Sequence, residues 1–170
     1  MDFLSSIKDQ IPDYAKDIRL NLDGVIARSS LPPEDALGCA IAAAFAAKSQ
    51  PLLAVLTANT PEAERNAALT AAALMGMNNA WYPYLEMADD AELRTVRPEL
   101  RMNAYATSGG VEKKKFEAYA LAASIVGKCH FCVKSHYELL KKEGYSTQQL
   151  RDVGRIAAVV NAAAQVLTVR

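Results

Sequence analysis

The apolar positions of this chain lie mainly in alanine-rich runs, and the strict alternation of a half-buried strand is scarce. Alanine triplets occur at 42–44, 71–73 and 162–164. Alanine is the strongest helix former, and small side chains let helices pack closely. We therefore predict an all-α fold.

Proline and acidic residues mark two helix starts. The segment 32–35 (PPED) begins a predicted helix that runs to about Lys48. The segment 60–62 (TPE) begins another to about Met77, which we expect to be followed by aromatic packing at 81–82.

Two further boundaries lie in the last third of the chain. Ser146 and Gln149 have the spacing of a capping box, which predicts a final helix running close to the C-terminus. Gly127 interrupts an apolar stretch, so we expect one helix to end there and the next to begin near Cys129.

The clearest break in the pattern is the glycine pair at 109–110. Across it, a shift of eighty positions aligns 40–52 with 120–132, with three alanine matches and one lysine match. We predict one compact domain, 1–170, with a degenerate N-terminal half at about 1–108 and a catalytic C-terminal half at about 111–170. In that alignment Ser49 and Leu52 stand where the second half has Cys129 and Cys132.

Charge and composition exclude several classes of function. The 170 residues include 19 basic and 19 acidic ones, a net charge of zero that argues against nucleic acid or an acidic membrane as partner. The longest apolar run, 36–47, is too short for a membrane span. The N-terminus has an acid at position 2 and no apolar segment, so we expect no secretory signal and a cytoplasmic location.

The candidate chemistry lies in four residues: Glu117, Cys129, Cys132 and His136. On a helix at about 100° per residue, the two thiols and the imidazole fall within a sector of about 60°. A helix N-terminus favours thiolate over thiol, and two cysteines three positions apart can close a disulfide. The histidine is placed to act as a base, and the carboxylate could orient it.

Other interpretations of the cysteines remain open. The pair could bind zinc with the neighbouring histidines, although His130 would point about 100° away from Cys129 on a helix. Haem attachment is excluded, because it needs a histidine directly after the second cysteine and Val133 is there instead. We expect Cys39 to be a small buried apolar residue and His130 to be solvated or locally hydrogen-bonded.

The chain resembles the alkyl hydroperoxide reductase D (AhpD) family of the carboxymuconolactone decarboxylase-like superfamily. The resemblance rests on the E-x₁₁-C-x₂-C-x₃-H spacing and on three further segments spread along the chain: PDYAKDIRLNL at 12–22, MGMNN at 75–79 and RPELRMN at 97–103. One position differs, because Phe131 stands where relatives have a histidine directly before the second cysteine, and His130 lies one position earlier.

The resemblance implies an all-α fold of two related helical halves and a homotrimer. It implies a peroxidase that reduces alkyl hydroperoxides without a bound cofactor and also regenerates a peroxiredoxin, AhpC. Electrons would come from dihydrolipoamide, the lipoyl groups of a 2-oxoacid dehydrogenase component. By the same resemblance, Cys132 would become the sulfenic acid, Cys129 would be the proton donor and resolving thiol, and His136 and Glu117 would form the proton relay.

Three other functions are alternatives to this peroxidase function. The chain could be an electron-transfer adaptor to a peroxiredoxin with little peroxidase activity of its own. It could be a non-redox helical module whose thiols hold zinc. Decarboxylase or lactone chemistry, known elsewhere in the superfamily, needs no cysteine pair, and the presence of the pair counts against it.

Overall fold

The computed structural model of the protein describes residues 1–169. Across this range the chain forms α-helices and short 3-10 helices, with no strand, which confirms the predicted all-α fold. The helices are α1 (Ser5–Lys8), α2 (Lys16–Ala27), α3 (Pro33–Ala46), α4 (Gln50–Ala58), α5 (Glu62–Ala88), α6 (Asn103–Ala106), α7 (Lys113–Gly127), α8 (His130–Lys142) and α9 (Thr147–Thr168).

The core is built around α3 and α7, which pack against each other and against α5 and α9. Their alanines, including 42–44 and 122–123, are fully buried. Gly38 brings the two helices closest, because a Cβ atom at this position would lie 2.2 Å from a ring carbon of Tyr119. The alanine runs therefore mark helices buried on most sides, as their small side chains predict.

Helix α5 is longer than the sequence predicts. The expected end at about Met77 is wrong, because the helix continues to Ala88 through Pro83 and ends at Asp89, which has a left-handed φ of 48°. A proline removes one helical hydrogen bond. Beyond Met77 the helix still contacts α7 and α8, because Asn79 donates to the backbone carbonyl of Ala123 and Tyr82 stacks on Phe131, and these tertiary contacts outweigh the local signal.

The other predicted boundaries hold within two residues. Helix α3 begins at Pro33 and α7 ends at Gly127. At the start of α9, Ser146 and Gln149 exchange both hydrogen bonds of the predicted capping box. These signals are local, so packing elsewhere did not override them.

The α3–α4 and α7–α8 connections have the same backbone conformation, eighty residues apart. Lys48 and Lys128 have left-handed φ angles of 58° and 55°. Ser49 and Cys129 then cap the next helix with φ/ψ of −92°/97° and −82°/104°. The aligned lysines thus occupy equivalent turns, while the division of the chain into two halves stays a prediction.

The buried carboxylate of Asp152 links α9 to the α2–α3 connection through hydrogen bonds. Oδ2 of Asp152 accepts hydrogen bonds from the backbone N–H and the hydroxyl of Ser30, each at 2.8 Å. Arg151 and Arg155 donate to its other oxygen, Oδ1. Burial opposes ionisation, but the Ser30 and arginine hydrogen bonds outweigh it and lower the pKa of Asp152.

Within residues 1–169, none of the helices is both long enough and apolar enough to cross a lipid bilayer.

Candidate active site

Cys129 and Cys132 lie at the N-terminus of α8 and are joined in a disulfide, with Cα atoms 5.3 Å apart. Cys129 is the residue that caps α8, so it precedes the helix instead of occupying its first turn. Its Sγ accepts the backbone N–H of Cys132 at 3.2 Å. The left-handed turn at Lys128 positions the first sulfur at the end of the helix, where the free N–H groups favour negative charge.

The two half-cystines line different cavities. Cys132, 3% exposed, lines a cavity of about 280 Å³. Cys129, fully buried, lines an open depression of about 410 Å³ on the other side of α8. The smaller cavity is lined by Asn78, Tyr82, Met102, Tyr105, Phe131, Cys132, Ser135 and His136. Cys132 is therefore the sulfur that shares a cavity with the predicted base.

His136 lies one turn after Cys132 and is held by the carboxylate of Glu117. Nδ1 of His136 is 2.6 Å from Oε2 of Glu117, and the two residues are 5% and 1% exposed. On the opposite edge of the ring, Nε2 lies 3.1 Å from Sδ of Met75. An ionised carboxylate only accepts hydrogen bonds, so Nδ1 carries a hydrogen and Nε2 is the nitrogen free to exchange a proton.

Glu117 has a second partner, Tyr105 of α6, whose hydroxyl donates to Oε1 in a short hydrogen bond. Burial opposes ionisation of the carboxyl, but the hydrogen bonds from His136 and Tyr105 outweigh it and lower the pKa of Glu117. Burial, followed by the hydrogen bond to Glu117, raises the pKa of Tyr105 far above its usual range. The phenol therefore stays a donor, and the carboxylate stays an acceptor.

Comparison with known proteins shows similarity along almost the whole chain. "Alkyl hydroperoxide reductase AhpD" of Rhodospirillum centenum is 41% identical over 168 residues, covering 96% of this chain and 90% of the relative. The protein of the same name from Coxiella burnetii is 38% identical over 170 residues, covering 96% of each chain. That from Streptomyces coelicolor is 40% identical over 166 residues, covering 94% of this chain and 91% of the relative.

The chain belongs to the AhpD family. In agreement, the model of the carboxymuconolactone decarboxylase family matches residues 91–170, which include α6 to α9 and all four predicted site residues. The family resemblance inferred from the sequence is thus confirmed.

The structure brings the four predicted residues of this AhpD-family chain to one place. Glu117 comes from α7, and the two cysteines and His136 come from the start and first turns of α8. Their individual roles stay predictions. In this disulfide state His136 contacts Met75 and Glu117. His136 and Cys132 line the same cavity.

His130 and Phe131 lie at the outer rim of the site. The side chain of His130 is 82% exposed and its Nδ1 lies 3.2 Å from Glu86, which confirms the prediction of a solvated or locally hydrogen-bonded residue. Phe131 stacks on Tyr82 with ring centroids 4.2 Å apart and forms one wall of the cavity. Within residues 1–169, no three His, Cys, Asp or Glu side chains are arranged to bind a metal ion.

The third cysteine is separate from this site. Cys39 is fully buried in α3, as predicted, and burial together with the nearby charge of Asp35 raises the pKa of its thiol well above the usual range. A protonated, inaccessible thiol does not take part in exchange.

Sequence reasoning missed two residues that contact the predicted relay, Tyr105 and Met75. Met75 lies in the MGMNN segment that carried the family resemblance, but nothing local shows that its sulfur meets His136. Tyr105 lies in a four-residue helix with no distinctive pattern, and only the three-dimensional structure reveals its contact with Glu117.

Proposed function

We propose that this AhpD-family protein is a thiol-dependent alkyl hydroperoxide reductase. The observation that carries the proposal is the Cys129–Cys132 disulfide, whose second sulfur shares a cavity with a histidine held by a buried carboxylate. Its relatives carry the name alkyl hydroperoxide reductase. A sulfur pair beside a positioned base is suited to reduction of an O–O bond.

The first step uses the reduced protein. The Cys132 thiolate attacks one oxygen of the hydroperoxide, a sulfur–oxygen bond forms and the O–O bond breaks. The leaving alkoxide takes up a proton and departs as the alcohol, which leaves Cys132 as a sulfenic acid. His136, which lines the cavity and is held by Glu117 through Nδ1, is the residue suited to move this proton.

The second step closes the disulfide. Cys129 gives up its proton and its sulfur attacks Sγ of Cys132, and the hydroxyl of the sulfenic acid leaves as water. The Cα separation of 5.3 Å lies in the ordinary disulfide range, so the backbone needs little rearrangement. The two thiols supply the two electrons that reduce the hydroperoxide to alcohol and water.

An external dithiol completes the cycle. We propose dihydrolipoamide, carried on a lipoylated 2-oxoacid dehydrogenase component, as the reductant that reopens the disulfide by exchange. Passing the same electrons to the peroxiredoxin AhpC is the second proposed role. The two thiols carry these electrons from the external dithiol to the hydroperoxide, so the proposed cycle needs no bound cofactor, and the reducing cytoplasm is the proposed compartment.

The cavity suits a small hydroperoxide with an apolar substituent. Its walls include the aromatic rings of Tyr82 and Phe131 and the thioether of Met102, while Asn78 and Ser135 offer polar groups. Such a lining can bind an alkyl group and still orient the peroxide oxygens.

The test is peroxide consumption with dihydrolipoamide as the electron donor. The unaltered protein should turn over tert-butyl hydroperoxide, Cys132→Ser should abolish turnover, and Cys129→Ser should permit one oxidation and no cycle. Cys39→Ala, which alters the cysteine outside the site, is the matched control and should retain the rate. Full turnover by Cys132→Ser would refute the assignment of that thiol.

A comparison with and without a peroxiredoxin separates the proposed activity from its nearest rival. A peroxidase works alone, whereas an electron-transfer adaptor turns over slowly alone and rapidly when AhpC is added. Metal analysis and thiol titration of the purified protein test the zinc-binding alternative, which requires bound zinc and two blocked thiols.

We also propose that the protein forms a homotrimer through the outer face of α5 and the segment after it. Four large apolar side chains in this part of the chain, Tyr84, Met87, Val96 and Leu100, are 41–79% exposed. With Trp81, two of them line an apolar depression of about 360 Å³. Light scattering on the unaltered protein and on Tyr84→Glu tests this, since a charge there should dissociate the assembly.

A further inference from the structure

Three side chains from three helices form a hydrogen-bonded chain that begins at the cavity. His136 of α8 meets Oε2 of Glu117 at 2.6 Å, and Tyr105 of α6 donates to Oε1 of the same carboxylate. Both oxygens of Glu117 are thus occupied by different donors, and the residue is 1% exposed. A buried carboxylate can stay ionised only when such donors replace water.

We propose that Tyr105 is a positioning residue of the relay, which keeps Glu117 ionised and fixes it as the acceptor for Nδ1 of His136. The inference deepens the proposed peroxide reduction and rests on it. Through Glu117, the tyrosine determines which imidazole nitrogen carries the hydrogen. Nε2 is thereby kept as the nitrogen that exchanges protons at the cysteines.

The packing of the Tyr105 ring directs its hydroxyl toward Glu117. Its ring packs edge-on against Phe116 at a centroid distance of 5.6 Å and an angle of 80°. This contact orients the ring, while the opposite end of the side chain reaches Oε1 of Glu117. A phenylalanine would keep the ring contact and lose only the donor, so the two roles can be separated by experiment.

Several charged or titratable groups bear on this unit. His136 from α8, Tyr105 from α6 and Lys113 from α7 itself act on Glu117, and each favours the ionised carboxylate. Tyr82 from α5 acts on Tyr105. On α3, the buried Asp35 is paired with Lys115, 3.3 Å away. Tyr105 is the partner of Glu117 that can be altered without removing a residue of the predicted proton relay.

The test is the state of His136 and Glu117 in Tyr105→Phe, followed by NMR. The protein contains two histidines, so ¹⁵N spectra of the imidazoles are readily assigned with a His130→Gln variant. In the unaltered protein, neutral His136 should be the Nδ1–H tautomer. In Tyr105→Phe, the carboxyl ¹³C signal of Glu117 should titrate about one pH unit higher, the size of one lost hydrogen bond to a charged group.

Below that higher titration point the protonated Glu117 can donate to Nδ1, so the fraction of the Nδ1–H tautomer should fall in Tyr105→Phe. The rate of the first oxidation of Cys132 should fall with it, while the KM for the hydroperoxide stays unchanged. Tyr14→Phe, at a tyrosine that is 74% exposed, is the control and should alter neither spectrum.

A double variant tests whether Tyr105 acts on His136 through Glu117. In a Glu117→Leu background no polar side chain links Tyr105 to His136, so Tyr105→Phe should no longer change the tautomer. A tautomer change in that background, or an unaltered Glu117 titration in Tyr105→Phe alone, would overturn the inference. These spectra need no peroxide, so they test Tyr105 even where the protein consumes no hydroperoxide, an outcome that would refute the proposed function instead.

Discussion

Oε2 of Glu117 and Nδ1 of His136 lie 2.6 Å apart in a part of the protein that solvent scarcely reaches. The contact joins α7 to α8, the helix that begins at the disulfide, and occupies one edge of the imidazole. The other edge is left to the sulfur of Met75 and to the cavity of Cys132. A histidine held in this way can transfer protons only through Nε2, and its orientation depends on the carboxylate of Glu117.

Replacing that carboxylate should therefore slow catalysis strongly. Glu117→Gln keeps the size of the side chain but removes its charge, so we expect the rate of Cys132 oxidation to fall about 100-fold or more, within the range for a disabled general base. Stopped-flow oxidation of the reduced protein by tert-butyl hydroperoxide measures it. The matched control is Glu138→Gln at an exposed position of α8, and an equal loss in both variants would contradict the prediction.

Phe131 should influence which hydroperoxides are accepted. Its ring stacks on Tyr82 and walls the cavity, so Phe131→Ala removes apolar surface that an alkyl or aryl group would contact. We expect kcat/KM for cumene hydroperoxide to fall about tenfold, the equivalent of roughly 1.4 kcal/mol of lost apolar contact.

Hydrogen peroxide serves as the control substrate for Phe131→Ala. It has no apolar substituent to contact the ring, so its kcat/KM should change little. A parallel loss for both peroxides would show that Phe131 supports the geometry of Cys132 and does not select the substrate.

The four predicted site residues could be found from sequence because their spacing is local. Gly127 ends one helix, Cys129 caps the next, and Cys132 and His136 follow on one side of α8. Glu117 lies ten residues before Gly127 on the preceding helix, so a single helix-to-helix turn is enough to bring it near. The signals involved are caps and helical period, which packing seldom overrides.

Features that depend on distant contacts could not be found in this way. The continuation of α5 to Ala88 and the meeting of Met75 with His136 both arise from the packing of α5 against α7 and α8. The short α6 packs against α5, and the side chain of Tyr105 reaches across to Phe116 and Glu117 of α7. No local pattern in the sequence predicts the Met75–His136 contact or the Tyr105–Glu117 contact.

Asp152 should make the fold sensitive to acid. Because its pKa is lower in the folded protein than the unfolded value of about 3.9, the folded state binds fewer protons. The stabilisation is fully present above about pH 5 and is lost as pH falls toward the folded pKa. Urea unfolding between pH 7 and pH 3 should show this decline in the free energy of unfolding.

Asp152→Asn isolates the contribution of this carboxylate. We expect the free energy of unfolding at pH 7 to fall by about 2–4 kcal/mol, since Arg151 and Arg155 lose their acceptor and Ser30 loses a charged one. The decline of stability in acid should also become shallower. Asp9→Asn, at an exposed position, is the control, and the same loss there would point to net charge as the cause.

Two glycines should respond in opposite directions to the same substitution. In Gly38→Ala the new methyl group would lie 2.2 Å from the Tyr119 ring between α3 and α7, so we expect a loss of about 1–3 kcal/mol from overpacking. In Gly76→Ala the methyl group meets no atom within 4 Å, and alanine should stabilise α5 by up to about 1 kcal/mol. Thermal unfolding of both variants measures the difference, and equal shifts of the same sign would contradict the close α3–α7 approach.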